Sequence, residues 1–225
     1  KKVGNFGDLS IFSFQETKHI TTLGEGGMIC SNNDKLIEII AGIRNHAEFY
    51  SEKNYLGGNF RMTEIQAAFG RIQLKKLPNI LKSFRENAKF VIKNLPNGIV
   101  PPYISPNVNH SFLMIGCIFD EKKIGLSREK FLEKLTKNRR HILQGDKKSD
   151  IKGINMKSGK LISHGYSSPL YDISFYKKFK PKNGCPNSEQ FTKSSFWMDI
   201  HKFRSRDEIK EEIEILNKTI GEIKK

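Results

Sequence analysis

A nearly continuous apolar, β-prone run, DLSIFSF at 8–14, opens into a lysine-bearing segment and a glycine cluster, QETKHITTLGEGG, and a second apolar run, GMIC, follows at once. This order limits what the chain can fold into. An apolar run without alternation is the pattern of a strand covered on both faces, and glycines between two such runs give the backbone the freedom a turn needs. The next stretch, NNDKLIEIIAGIRNH (32–46), offers Asn32 or Asn33 as a cap, an acid near the start, and apolar residues at Leu36, Ile37, Ile40 and Ile43. That is the spacing of an amphipathic helix.

Residues 47–61, AEFYSEKNYLGGNFR, hold no period and contain Gly57 and Gly58, so they read as a loop able to carry function. In TEIQAAFGRIQLKKL (63–77), Thr63 and Gln66 form a capping box, and Ile65, Phe69 and Ile72 mark one face. Pro78 is expected to interrupt this helix. A second helical stripe follows through Leu77, Ile80, Leu81, Phe84, Ala88, Val91, Ile92 and Leu95, which makes a bent helix pair. PPYISPNVN (101–109) is a proline-rich joint and the candidate domain boundary. Beyond it SFLMIGCIF predicts a buried strand, LSREKFLEKLTKNRR a helix from Ser127, and 141–185 an irregular region with short strands. Ser205 and Glu208 make another capping box, opening a helix with the stripe Ile209, Ile213, Leu216, Ile220 and Ile223. Strands alternating with helices predict an α/β body followed by a smaller α+β domain.

With 225 residues, 37% of them hydrophobic and 16 of them phenylalanine, the chain can bury one large core and a smaller one. Its formal charge of +15 would suit a polyanion, but the lysines interleave with acids in stretches such as DEIKEEIEILNKTIGEIKK, the pattern of solvated helix faces. The basic surface also suits small anionic substrates, nucleotide-linked or phosphorylated; neither a nucleic acid nor a membrane is expected as partner. Cys30, Cys117 and Cys185 lie far apart without CxxC spacing, against a disulfide framework or a zinc site. No apolar run reaches the ~20 residues that span a bilayer, and a cytoplasmic location is the expectation. The sequence begins KKVGNFGDLSIFSF, without an initiator methionine, and reads as the continuation of something longer.

Lys18 sits just after the first predicted strand, where backbone and neighbours can partly desolvate it. Desolvation lowers an amine's pKa, and the neutral amine is the form that condenses with a carbonyl. Ser13 lies five residues earlier, a hydroxyl suited to a phosphate. On the residues alone a solvated structural lysine is the plainer reading, and GEGG alone can serve only its turn.

The order of pieces changes this. GDLSIFSFQETKHITTLGEGGMI, then RNHA, then YLGGNFRMTEIQAAFGRIQLKKLPN resembles, element by element, the DegT/StrS-type (DegT/DnrJ/EryC/StrS) aminotransferases, pyridoxal-phosphate enzymes that aminate keto-sugars and keto-cyclitols. The resemblance runs through about residue 95 and continues more loosely in SSPLYDISFYKKF, a substrate-side segment, and CPNSEQFTKSSFWMDIHKF. It implies a fold-type I, aspartate-aminotransferase-like fold: part of the large domain at 1–76, a linking helix at 77–100 and a small α+β C-terminal domain at 101–225.

Residue by residue, the resemblance makes Lys18 the lysine that holds pyridoxal 5'-phosphate covalently and carries protons between donor carbon and cofactor. Ser13 matches the serine on the cofactor phosphate. Asn59 matches an asparagine that reaches the phosphate of the neighbouring subunit's cofactor, which implies a homodimer with shared active sites. Gln15, on the cofactor side, stands where many sugar aminotransferases carry histidine or tyrosine, and glutamine there resembles the members acting on cyclitols or aminohydroxybenzoate precursors. Arg61 is a charge at the shared edge or an interface salt bridge; His46 lines the site or is a hydrogen-bonded structural histidine. His19, adjacent to Lys18 on an extended segment, points the other way. The implied reaction takes an amino group from glutamate or glutamine to a keto-sugar or keto-cyclitol, in amino-sugar and polysaccharide biosynthesis. The family's N-terminal part, with the acid for the ring nitrogen, is not found before Lys1, so the chain as written is expected to be inactive alone. The rivals are a sugar dehydratase of the same family, with histidine in place of the lysine, a basic binding module, and an inactive fragment.

Overall fold

The computed structural model describes residues 1–47, 55–142, 162–163, 168–200 and 205–224. Residues 48–54 of the predicted loop, and 143–161 and 164–167 of the predicted irregular region, lie outside the described residues. The chain divides into two compact units, Lys1–Leu81 and Lys82–Lys225.

In the first unit, strand β1 (Ser10–Ser13) pairs antiparallel with β2 (Gly27–Cys30), Ser10 opposite Cys30 and Ser13 opposite Gly27. Helix α1 (Asp34–Arg44) starts where the sequence places it: Asn33 Oδ1 accepts from the Lys35 and Leu36 backbone N–H groups, satisfying two of the donors a helix start leaves free. Helix α2 (Glu64–Lys93) opens on the predicted box, with the Thr63 N–H donating to Gln66 Oε1 at 3.0 Å and the Gln66 N–H to Thr63 Oγ1 at 3.3 Å.

Two expectations are corrected here. α2 runs through Pro78 as one helix rather than a pair. A proline removes one helix N–H and crowds the preceding turn, but Leu74 and Pro78 face solvent, where water can take the freed Leu74 carbonyl. The DLSIFSF strand exists but is not covered on both faces, since Ile11 is 81% exposed in a two-stranded sheet. Nor is the Ile65 and Ile72 face sealed; Ile65 is 72% exposed. Among the described residues up to Leu81, no large apolar side chain is fully buried.

The second unit is built differently. Four antiparallel strands lie in the order β3 (Ile99–Val100), β4 (Ile115–Phe119), β6 (Ser195–Met198), β5 (Ile162–Ser163). β4 alternates buried and half-buried, and its inward residues Ile115 and Cys117 lie opposite Met198 and Phe196. Beside the sheet are α3 (Glu121–Ile124), α4 (Arg128–Ile142), α5 (Pro186–Ser194) and α6 (Arg206–Ile223). Phe119 meets the Phe131 ring of α4 at 4.9 Å and the Phe196 ring edge-on at 6.5 Å. The second half of α2 contributes Phe84, Ala88 and Val91, and α6 the predicted Ile209, Ile213, Leu216 and Ile220, all buried. Burying each large apolar side chain stabilises by roughly 1.5–3 kcal/mol, so this stripe anchors α6. Its Ser205–Glu208 box is formed as predicted.

Arg128 is buried within this unit, and its Nη1 donates to the Thr192 and Ser195 carbonyls while Nε and Nη2 reach Glu129. It ties the end of α5 and the start of β6 to the start of α4. Arg128→Ala is expected to cost about 2–4 kcal/mol, because buried carbonyls lose a charged donor, read as a lower urea midpoint; Arg128→Lys should recover only part.

Burial also pushes the Cys117 thiol up from 9.0 to about 12. A group whose folded pKa is raised stabilises fully below its unfolded value and loses that contribution as pH rises toward the folded one. The expected result is a fall in stability between about pH 9 and 12 that is shallower in Cys117→Ala, together with thiol alkylation of the native protein at Cys30 and Cys185 before Cys117.

Candidate functional site

Lys18 lies on the turn that leaves β1. The chain bends there because the Lys18 N–H donates to the Gln15 carbonyl at 2.9 Å and Gln15 Oε1 accepts from Thr17 N–H at 2.8 Å and Thr17 Oγ1 at 2.6 Å. The Gln15 side-chain carbonyl thus serves the turn, with its amide N–H groups left over. Ser13 Oγ accepts from the Gln15 N–H at 3.4 Å, so its own O–H is free to donate. Lys18 is half-buried, and among the described residues its amine has no hydrogen-bond or ion-pair partner.

Thr22, which sequence reasoning passed over, fixes this loop. It is 2% exposed, and its Oγ1 donates to the Glu25 carbonyl at 3.0 Å. A Cβ on Gly26 would overlap Thr22 Oγ1, and one on Gly70 of α2 would press on the Thr22 methyl at 2.9 Å. Gln66 Nε2 donates to the same Glu25 carbonyl at 3.2 Å. The glycine turn is therefore seated on the first turns of α2. The sequence signal for it was a threonine followed at four residues by a glycine, too common to single out.

A second cluster forms around the close of the predicted loop. His46 and Ala47 hold left-handed backbone, φ 63° and 59°. The His46 N–H donates to the Gly58 carbonyl at 3.1 Å, and the Gly58 N–H to the Ile43 carbonyl at 2.9 Å, beside an Asn45–Asn59 bridge. Gly57 packs so closely that a Cβ there would overlap the His46 and Ala47 backbone. The resulting hairpin brings together three of the predicted residues: Arg61 Nε donates to Asn59 Oδ1 at 3.0 Å, and Arg61 Nη2 lies 3.2 Å from His46 Nε2. All three are exposed. The structure thus joins Asn59, Arg61 and His46 in one cluster and Ser13, Gln15 and Lys18 in another; among the described residues no hydrogen bond links the two.

In the second unit, a cleft of ≈ 680 Å³ is walled by Pro169, Leu170, Tyr171, Cys185, Phe191 and Thr192. At its edge Tyr171 donates to Glu189 Oε1 at 2.6 Å and accepts from the Cys185 N–H at 3.2 Å. The bond to Glu189, with burial second, pushes the tyrosine up to about 12 and, from the other side, holds the Glu189 carboxyl below its usual range. No sequence pattern pairs residues so far apart. Tyr171→Phe is expected to move the Glu189 titration up toward the ordinary carboxylate value, read by carboxylate carbon shifts against pH. Because a lowered folded pKa stabilises above the unfolded value and is lost as pH falls through the folded one, the variant should also lose less stability than wild type on acidification.

The family model described as the DegT/DnrJ/EryC1/StrS aminotransferase family matches residues 1–144. The chain is 32% identical over 206 residues to the UDP-4-amino-4,6-dideoxy-N-acetyl-beta-L-altrosamine transaminase of Campylobacter jejuni, a match covering 89% of this chain and 49% of that protein. It superposes on the X-ray structure of an aminotransferase from Psychrobacter cryohalolentis with a TM-score of 0.81 at 22% identity, over 100% of this chain and 59% of that one. It also superposes on the E. coli GDP-4-keto-6-deoxy-D-mannose-3-dehydratase with bound hydrated PLP, TM-score 0.72 at 21% identity, over 96% of this chain and 56% of that one. The chain spans about half the length of the curated relatives it matches. Among the described residues no helix is long and apolar enough to cross a membrane.

Gly57→Ala is expected to open the second cluster, since the atoms it meets are backbone and cannot swing away. The cost should be about 1–3 kcal/mol, as for other strained backbone, and the measurement is loss of native-state amide protection at His46 and Gly58.

Proposed function

Since this chain belongs to the DegT/DnrJ/EryC1/StrS aminotransferase family, we propose that it is the lysine-bearing portion of a pyridoxal-phosphate-dependent aminotransferase. The reaction moves an amino group from glutamate or glutamine to a keto-sugar, nucleotide-linked, or to a keto-cyclitol. The single observation that carries this reading is Lys18 itself: a half-buried amine at the end of β1, on a loop pinned to α2, with no competing partner among the described residues.

The residues fit the cofactor by their donor set. Pyridoxal phosphate, when bound, supplies the electron sink that lets a carbon give up its proton. Lys18 tethers the cofactor and acts as base and acid at the reacting carbon; an amine held by an acid would first have to break that pair. The Ser13 hydroxyl, its oxygen already accepting from the Gln15 N–H, would have its O–H available to donate to the phosphate. The Gln15 amide N–H groups lie on the same turn, and its carbonyl holds that turn closed. Asn59 donates to the phosphate in a second copy of the chain, so the working unit is a homodimer. Donors fixed in this way would hold the phosphate in one place and so lower the entropic part of the barrier.

The dehydratase reading is favoured by one observation, the superposition on a dehydratase. At 21% identity that likeness is one of fold. The family's dehydratases carry histidine at the lysine position, and Lys18 speaks for transamination.

The test is chemical. The polypeptide as the cell encodes it is incubated with pyridoxal phosphate, reduced with borohydride and digested. The expected pyridoxyl adduct is on Lys18, and it disappears in Lys18→Ala together with the visible absorbance band. An adduct elsewhere, or none, overturns the proposal.

A further inference from the structure

We propose that Arg61 is a positioning residue whose guanidinium holds the Asn59 amide in the orientation that offers both amide N–H groups to a phosphate, and that His46 in turn holds the guanidinium. This rests on the reading of Asn59 as a phosphate ligand and extends it to the residues behind it.

The orientation follows from donor chemistry. A guanidinium has donors and no acceptor. Arg61 Nε faces one polar atom of Asn59 at 3.0 Å, and that atom must accept, so it is the carbonyl oxygen. The reverse amide would set N–H against N–H. With Oδ1 committed to Arg61, the two Nδ2 hydrogens point away from the guanidinium and stay available. The same reasoning fixes the histidine: Arg61 Nη2 lies 3.2 Å from His46 Nε2, which must accept, leaving the ring proton on Nδ1.

The support for His46 is backbone. Its left-handed conformation is held by the Gly58 carbonyl, by the Ala47 N–H donating to the Gly42 carbonyl at 2.8 Å, and by Gly57, where any side chain would displace it. Restraint passes from this hairpin to the His46 ring, from the ring to the guanidinium, and from the guanidinium to Asn59. All three side chains are exposed, as a donor set must be if it is to reach a ligand lying outside its own unit. An exposed asparagine without such a brace samples both amide orientations and several rotamers, and ordering it on binding lowers affinity. Arginine rather than lysine is suited to the task because its planar fork can hold two partners at once.

The test is a double-mutant cycle on the encoded polypeptide, with affinity for inorganic phosphate measured by its competition with pyridoxal phosphate. Asn59→Ala is expected to weaken phosphate binding about tenfold, the order of one or two hydrogen bonds. Arg61→Met should weaken it about fivefold alone and not at all on top of Asn59→Ala, because Arg61 acts through Asn59. Arg61→Lys, which keeps the charge and loses the fork, should behave like Arg61→Met. His46→Gln keeps an acceptor and should stay near wild type; His46→Leu should not. Nitrogen NMR adds a readout independent of binding: His46 should show a protonated Nδ1 tautomer, and the Asn59 side-chain amide pair should sharpen to a single environment that Arg61→Met averages. If Asn59→Ala leaves phosphate affinity unchanged, the reading of Asn59 fails. If Asn59→Ala weakens binding while Arg61→Met does not, or if the two losses add, or if Arg61→Lys restores affinity, the positioning role is overturned and the phosphate reading stands.

Discussion

The placement of Lys18 depends on one buried threonine. Thr22 closes the glycine turn by donating to the Glu25 carbonyl and leaves no room for a side chain on Gly26 or Gly70. Two glycines far apart in sequence are thereby required by one side chain. The loop between β1 and β2 buries no large apolar side chain, and a loop like that would wander if its end were free. Seating the turn on α2, with Gln66 donating to the same carbonyl, converts it into part of a helix-backed frame. On the proposed reading of Lys18, an amine held in this way would meet a carbonyl partner in a narrow range of geometries, the condition for a covalent tether to form quickly.

The two units solve the burial problem in opposite ways. In the second, α4, α6 and the end of α2 pack their apolar side chains with the inward faces of β4 and β6, and the interior is sealed. In the first, Ile11, Met28, Ile29, Ile65 and Ile72 are exposed on elements whose sequence patterns call for cover. Periodicity states which residues share a face and is silent about what lies against it. For this reason the stripe of α6 was legible down to individual residues, while at Ile65 and Ile72 the pattern named a face and left its exposure open.

Caps and turns were the most legible features, because their chemistry is local. Asn33, the Thr63–Gln66 box and the Ser205–Glu208 box each satisfy helix N–H groups within three residues, and all form as the sequence indicates. Pro78 was misread for a complementary reason: a proline's cost depends on whether water can reach the carbonyl it frees, and exposure is a tertiary fact. Arg128 and the Tyr171–Glu189 pair were invisible in the sequence, since their partners lie many residues away and neither residue type signals burial. The cluster of His46, Asn59 and Arg61 lies between. The residues were singled out by resemblance to a family, but that one guanidinium joins them is a property of the hairpin that closes at Gly57 and Gly58.

The formal charge of +15 sets the scale of the problem that such a cluster addresses. Part of the basic surface is engaged: Lys123 with Asp120, Lys134 with Glu222, Lys210 with Asp207, and Lys178 over the Phe175 and Phe179 rings. What is left produces a broad positive potential, which draws small anions in from a distance and treats them alike. Selection among anions needs donors at fixed positions, because a hydrogen bond depends on direction and a screened charge does not. The broad potential supplies the attraction, and an oriented amide such as that of Asn59, its Oδ1 held by Arg61, supplies the direction. On the proposed reading of Asn59, that division of labour is why a neutral asparagine can serve a phosphate in a chain so rich in lysine.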